Sequence, residues 1–163
     1  MSLSDIVMSL IIIREMEYED LDRGFLEVYD SLVPARIDKY TAIQILTIIK
    51  SNPLHKVFVA VVVEDDVGKK TENKEKNKVL GTTTLIVEPK FIAGGARVGH
   101  IEDVAVRPGY QGMSIGSKLV KHVTEYAKNK MGCIKIVLDC AEQTLPFYQK
   151  LGYTYQDICM KFE

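Results

Sequence analysis

Apolar positions in the first two thirds of the chain alternate between helical and strand spacing. Residues 64–78, a run of charges of both signs, interrupt this pattern and are expected to form a solvated loop. Helical spacing predicts two amphipathic helices, in YEDLDRGFLEVYDSLV and DKYTAIQILTIIK. β-branched runs predict four strands, at residues 10–14 and in KVFVAVVVE, VLGTTTLIVE and HIEDVAV. The pattern places both helices between the first strand and the second.

The segment EDVAVRPGYQGMSIGSKLV, residues 102–120, changes from a β-branched strand into an amphipathic helix. Pro108 and two glycines mark the turn between them. CIKIVLDC then predicts a strand and TLPFYQKLGY a short helix. DICMKF predicts a last strand, because its apolar residues alternate: Ile158, Met160 and Phe162. The resulting order, β-α-α-β-β-β-α-β-α-β, predicts an α/β fold with a mixed sheet.

Composition favours a single domain, residues 1–163, with 47% apolar residues to form a core. A formal net charge of −1 gives no support to a nucleic-acid partner. The apolar N-terminal run is shorter than the about 20 residues that a bilayer requires, so no membrane partner is expected. Three cysteines without a C-x-x-C pair and three scattered histidines predict no disulfide framework and no metal site. Free cysteines fit a reducing compartment, and we expect the cytoplasm.

The turn within residues 102–120 is suited to binding an anion. A helix that follows such a turn offers unpaired N–H groups and a partial positive charge. The spacing is neither that of a P-loop nor that of the dinucleotide fingerprint G-x-G-x-x-G. No lysine lies inside the loop to reach a terminal phosphate. The loop therefore favours a pyrophosphate in the middle of a cofactor over a phosphate that is being transferred.

The loop sequence RPGYQGMSIG resembles the acyl-CoA loop of the GNAT acetyltransferase superfamily. Gln111 and Gly116 match the ends of that motif, and Ser114 replaces its inner glycine. We expect a negative φ at Ser114, so that its N–H still points at phosphate. Further segments resemble the glucosamine-6-phosphate N-acetyltransferase family within this superfamily: IREMEYEDLDRGF, GHIEDVAV, GCIKIVLDC and PFYQKLGY.

The resemblance implies the GNAT fold, a mixed and mostly antiparallel sheet with helices on both faces. It implies acetyl-CoA as the cosubstrate, with the pantetheine amides paired to the backbone of Val104, Ala105 and Val106. The other cofactor-binding residues that it implies are Gln111, Gly112, Met113, Ser114, Ile115, Gly116, Ser117 and Thr144. The reaction would be acetyl transfer to the amine of glucosamine 6-phosphate, by direct attack in a ternary complex.

Three residues are implied as catalytic. Glu102 would orient the amine and help to remove its proton, Asp139 would contact the sugar hydroxyls, and Tyr148 would protonate the leaving thiolate. The pleat of a strand is expected to send Glu102 and the adjacent Asp103 to opposite faces. Cys140 is interpreted as a small packed residue and not as a nucleophile, because no histidine neighbours it in any motif.

The resemblance also implies contacts to the sugar phosphate and a homodimer. Lys90 matches a position of the family beside the substrate, and the last strand would cross to the partner subunit and bring Lys161 to its phosphate. The full set of implied substrate-binding residues is Lys90, Phe91, Ile92, Ala93, Glu102, Asp103, Asp139 and Lys161. Two alternatives stay open: a GNAT enzyme for another amine or a protein N-terminus, and an acyl-CoA-binding module without catalysis.

Overall fold

A five-stranded sheet forms the centre of the computed structural model, which describes residues 11–33, 37–63 and 77–162. Neighbouring strands follow chain order; the first four are antiparallel, and the fifth runs parallel to the fourth. This confirms the mixed, mostly antiparallel sheet. The predicted charged loop lies mostly outside the described residues. The strands are β1 (Ile11–Glu15), β2 (His55–Val62), β3 (Val79–Pro89), β4 (Arg97–Val106) and β5 (Cys133–Val137).

Helices cover both faces of the sheet, as predicted. The first helical segment begins and ends with 3-10 turns, at Tyr18–Arg23 and Tyr29–Ser31, and a third 3-10 turn spans Glu142–Thr144. Asp38 caps the second helix by accepting a hydrogen bond from the Thr41 N–H. The α-helices are α1 (Phe25–Val28), α2 (Lys39–Ser51), α3 (Ile115–Asn129) and α4 (Leu145–Gln149).

The core has two halves because β2 is buried on both faces. Val57, Val59 and Val61 pack under α1 and α2, whereas Phe58 and Ala60 face α3. This explains the nearly continuous apolar run in β2, which is typical of a central strand. The two helical layers thus hold the sheet between them, and β4 is the strand that carries the implied catalytic carboxylate Glu102.

A β-bulge interrupts β4 at Asp103. Thr82 pairs with Ala105 and Thr84 with Glu102, so that two residues of β4 lie opposite the single residue between these threonines. Asp103 has a φ of 51°, in the left-handed region that aspartate adopts more readily than most residues. The expectation that Glu102 and Asp103 lie on opposite faces is wrong, because the bulge turns both toward one cavity.

Strands β4 and β5 separate part of the way along their length. Their pairing runs from Arg97–Cys133 to His100–Val137, and within the described residues no pairing continues beyond that point. The edge of β4 that carries Val104 and Val106 therefore opens into a groove. This opening is where the resemblance places the pantetheine amides.

The tail of the chain does not form the predicted last strand within this subunit. Residues 153–162 have no regular secondary structure, and the three alternating apolar residues are almost wholly exposed. The exposed fractions are 82% for Ile158, 91% for Met160 and 99% for Phe162. Alternation identifies a face to be buried, whereas a strand also requires a neighbouring strand, and none of the five described strands pairs with these residues.

Candidate active site

A groove of about 420 Å³ lies between the separated strands and the start of α3. The loop before α3 forms one wall, and the 3-10 turn at Glu142–Thr144 with α4 forms another. The implied cofactor-binding residues among its walls are Val104, Val106, Gln111, Gly112, Ser114, Ile115, Gly116, Ser117 and Thr144. Five further residues line the groove: Ser31, Leu32, Tyr110, Phe147 and Tyr148. The strand, loop and helix are thus arranged as an elongated cofactor with a pyrophosphate would require.

Two of the implied cofactor-binding residues do not line this groove. The Ala105 side chain is buried under α1 and α2, and Met113 packs beside Leu119 and Tyr110. Burial of Ala105 is compatible with its implied role, because that role belongs to its backbone. Gly116 has room for a methyl group, since an added Cβ would lie 3.5 Å from the Phe147 ring.

Ser114 has a left-handed backbone, with a φ of 58° and a ψ of 12°. The expected negative φ at this position is therefore wrong. The loop reaches α3 through positive φ angles at both Gly112 and Ser114, and Ser114 makes no side-chain capping hydrogen bond. A left-handed conformation costs a residue other than glycine about 1–2 kcal/mol, so the loop geometry is kept at the expense of stability.

We therefore expect Ser114→Gly to raise the free energy of unfolding by about 1 kcal/mol, because glycine adopts this φ without strain. Chemical denaturation at equilibrium measures the change. Ser117→Gly is the matched control, since it lies in α3 proper and should lower stability by about 0.5 kcal/mol. Equal destabilisation by both substitutions would show that the left-handed conformation carries no strain.

A second cavity, of about 550 Å³, lies on the other side of β4 under α1 and α2. Its polar end consists of Glu102 and Asp103 with Thr84, His55 and Tyr29. Burial raises the pKa of Glu102, and the nearby carboxylates Asp139 and Asp103 raise it further. A carboxylate with a raised pKa is a better proton acceptor, which is the property that a general base for an amine requires.

Burial also perturbs the neighbours of Asp103. It raises the pKa of Tyr29 to about 12, and the charge of Asp103 adds to this effect. It lowers the pKa of His55, against the opposing influence of Asp103. These two residues were not recognised from the sequence, because neither belongs to a motif and both reach the cavity from other elements.

Tyr148 lies where the cofactor groove ends. Its ring is half-buried and makes edge contacts with Phe147 and Tyr153, at centroid distances of 4.9 and 6.1 Å. Burial raises the pKa of Tyr148, and the proximity of Cys140 and Tyr153 raises it further. The hydroxyl is therefore protonated at neutral pH, as a general acid must be. Phe147 lines the same groove and was also not recognised from the sequence, although its position next to Tyr148 could have indicated it.

Asp139 lies just beyond the end of β5, exposed but close enough to Glu102 to affect its pKa. The Cys159 thiol donates a hydrogen bond of 3.4 Å to Asp139 Oδ2, and this contact raises the pKa of the thiol. Cys140 is exposed, so its interpretation as a packed residue is wrong. The strand ends before Asp139, which places both residues at the surface.

The loop between β3 and β4 holds four further implied substrate residues, Lys90, Phe91, Ile92 and Ala93, outside the walls of both cavities, and Lys161 lies in the exposed tail. The Lys90 ammonium lies 2.5 Å from Glu88 Oε2, and His100 Nε2 lies 3.1 Å from the same oxygen. Residues 91–93 are exposed, with the Phe91 ring in full contact with solvent. Lys90 thus begins a polar row that leads along β3 and β4 towards Glu102.

The described residues contain no group of three or more His, Cys, Asp or Glu side chains that could hold a metal ion. No helix among them is long and apolar enough to cross a membrane.

Comparisons of the sequence with known proteins all indicate the same family. Residues 21–153 match the acetyltransferase (GNAT) family. Over 159 residues, the chain is 30% identical to glucosamine 6-phosphate N-acetyltransferase 1 of Dictyostelium discoideum, covering 97% of this chain and 94% of that protein. It is 42% identical over 86 residues to glucosamine 6-phosphate N-acetyltransferase of Trypanosoma brucei brucei, a match to 53% of this chain and 58% of that relative.

The three-dimensional comparison agrees. The crystal structure of glucosamine-6-phosphate N-acetyltransferase from Arabidopsis thaliana superimposes with a TM-score of 0.80 at 28% identity, covering 94% of this chain and 97% of that one. The sequence match, the near full-length relative and the shared fold point to one family. The chain belongs to the acetyltransferase (GNAT) family and, within it, to the glucosamine 6-phosphate N-acetyltransferases.

Proposed function

We propose that this protein transfers the acetyl group of acetyl-CoA to the amine of glucosamine 6-phosphate, giving N-acetylglucosamine 6-phosphate. The observation that carries the proposal is that consecutive residues at the bulge in β4 line the two cavities. Asp103 lines the cavity with Glu102, and the next residue, Val104, lines the cofactor groove with Tyr148. A proton acceptor and a proton donor thus lie on the two sides of one strand, as direct transfer between two bound substrates requires.

The residues of the site transfer protons and orient the two substrates. Acetyl-CoA supplies a thioester, and an amine can attack it only after losing its ammonium proton. Glu102 accepts that proton, and its raised pKa suits the task. Nitrogen bonds to the carbonyl carbon, the carbon–sulfur bond breaks, and Tyr148 gives its proton to the departing thiolate. The nitrogen then loses its second proton, which restores the Tyr148 hydroxyl. The open edge of β4 and the loop before α3 orient the cosubstrate.

Turnover measurements with two sugars test the proposal. We expect rapid release of CoA with glucosamine 6-phosphate, and a value of kcat/KM at least about 100-fold lower with glucosamine, because Lys90 and Lys161 would lose their phosphate partner. Equal rates with the two sugars would contradict the sugar-phosphate assignment and favour another amine. Binding of CoA without turnover on any amine would contradict catalysis altogether and favour the acyl-CoA-binding module.

The exposed tail supports a homodimer in which the last segment of each chain lies against its partner. Ile158, Met160 and Phe162 form an apolar face that the chain itself leaves in solvent, a face that a second subunit could bury. Pairing with an edge of the partner's sheet would also make the predicted strand. Lys161 would then stand near the partner's sugar phosphate. The cytoplasmic location stays a prediction, supported by three free cysteines.

Deletion of residues 161–163 is expected to weaken the dimer and to raise the KM for glucosamine 6-phosphate at least about tenfold, because an ion pair and apolar area are lost. The KM for acetyl-CoA should stay within about twofold, a margin worth about 0.4 kcal/mol. Analytical ultracentrifugation and initial rates measure these effects. Lys161→Ala is the control that removes the charge and keeps the length. A full-length protein that is monomeric and fully active at high dilution would rule out a dimer in which the last segment of each chain lies against its partner.

A further inference from the structure

The cavity that contains Glu102 has an apolar body that a sugar phosphate would leave unused. At about 550 Å³ it is within the range of small-molecule sites, about 300–1,000 Å³. Away from its polar end, the walls are mostly aliphatic and aromatic side chains from the first helical segment, α2, β2 and β3, together with Met16 just after β1. They include Leu21, Phe25, Ile45, Leu46, Ile49 and Ile86.

The polar end defines the charge of a suitable ligand. Glu102 and Asp103 both turn into this cavity because of the bulge, and Asp139 lies close enough to act on Glu102. His55 and Tyr29 stand on the other side of Asp103, and His100 acts on Glu102 from two residues away on β4. Two carboxylates at the mouth of an apolar chamber complement a cationic head on an apolar body and repel an anionic one.

The polar row that serves a sugar phosphate leaves this cavity in a different direction. Glu88 and Lys90 line neither cavity; they follow Ile86 along β3 and lie beyond the cavity wall. Two binding branches therefore diverge from Glu102, one polar and one apolar. A phosphorylated sugar would use the polar branch, which contains Lys90, and an apolar amine would use the other.

From this geometry we infer that the cavity accepts primary arylalkylamines as a second class of acetyl acceptor. The inference rests on the proposed acetyl transfer and extends it. The ammonium would pair with Glu102 and Asp103 while the aryl group fills the space under α2. Glu102 takes one proton, nitrogen bonds to the thioester carbonyl, the carbon–sulfur bond breaks, and the thiolate takes the Tyr148 proton. The second nitrogen proton restores the Tyr148 hydroxyl. The products are the N-acetylated amine, CoA and one proton.

The test uses 2-phenylethylamine as the acceptor with acetyl-CoA and the full-length protein, and mass spectrometry detects the amide. We expect acetylation that glucosamine 6-phosphate inhibits competitively, because both amines occupy the same point beside Glu102. The control ligand is 3-phenylpropionate, which has the same apolar body with an anionic head and should not inhibit at equal concentration. Inhibition by this anion as strong as that by the amine would overturn the charge argument.

Paired variants separate the two branches. Ile45 lines the cavity and is 43% exposed, so Ile45→Trp fills space without disturbing the core. Ile48, three residues further on α2, lies outside the cavity walls and is 69% exposed, which makes Ile48→Trp the matched control. We expect Ile45→Trp to lower kcat/KM for 2-phenylethylamine at least about tenfold. Activity on glucosamine 6-phosphate should stay within about twofold. Lys90→Ala should instead lower kcat/KM for glucosamine 6-phosphate and leave activity on 2-phenylethylamine within about twofold.

The outcomes distinguish this inference from the proposed function. No acetylation of either amine would refute acetyl transfer itself. Acetylation of glucosamine 6-phosphate alone, or binding of 2-phenylethylamine without amide formation, would overturn the second acceptor class and leave the first intact. An equal loss from Ile45→Trp and Ile48→Trp would show that the cavity does not hold the aryl group.

Discussion

Glu102→Gln is expected to lower kcat/KM for glucosamine 6-phosphate about 100-fold or more, because the glutamine cannot accept the ammonium proton. The amide keeps the size and the hydrogen-bonding ability of the side chain, so the thermal midpoint should change little. Initial rates across a range of pH measure the effect. Glu125→Gln, at an exposed position on α3, is the control for loss of one negative charge elsewhere.

The pH profile gives a second measure of the same role. In the unaltered protein kcat/KM should fall as the pH is lowered through the pKa of Glu102, since the protonated carboxyl cannot accept a proton from the substrate ammonium. Burial, Asp139 and Asp103 raise that pKa, so the acidic limb should lie above the pH at which an ordinary glutamate titrates. The limb should be absent from Glu102→Gln. A limb that persists unchanged in this variant would assign the base to another group.

Tyr148→Phe is expected to lower kcat about 100-fold with little change in either KM, because a proton donated to the leaving thiolate matters mainly in the transition state. The phenylalanine ring keeps the edge contacts with Phe147 and Tyr153, so the fold should be retained. Because burial raises the pKa of Tyr148, the unaltered enzyme should lose this donor only at a pH above the ordinary tyrosine range.

Tyr153→Phe is the matched control for this prediction. Tyr153 lies beside Tyr148, and burial raises its pKa as well, but its hydroxyl forms a 2.6 Å hydrogen bond with Thr124. Its loss should cost about 1 kcal/mol of stability and leave kcat within about twofold. Equal kcat values for the two variants would mean that the Tyr148 hydroxyl has no special part in the reaction.

Most of the fold could be predicted from the sequence because its elements carry strong periodic signals. The β-branched runs correspond to β1 to β5, and the amphipathic segments correspond to α2 and α3. The strand–loop–helix motif was also predicted, and most of the residues that it implied for cofactor binding line one groove. In these segments, burial of a single face or of both faces determines both the pattern of residues and the secondary structure.

The details of the catalytic strand could not be predicted in this way. Alternation places Glu102 and Asp103 on opposite faces, but the bulge in β4 adds one residue and turns both into one cavity. A bulge depends on the register between two strands, which are separate in the sequence. The left-handed φ of Ser114 could not be predicted from local sequence either, because it depends on where the loop has to position the start of α3.

The sequence by itself determined the order of the elements, the faces that are buried and the chemical groups available, because these follow from the type and spacing of neighbouring residues. The tertiary structure decided where those groups meet. It placed the groove and the cavity beside the consecutive residues Asp103 and Val104, brought His55 and Tyr29 beside the carboxylates, and left the apolar side chains of the tail exposed. Each of these outcomes depends on contacts between residues far apart in the chain, and no local pattern encodes such contacts.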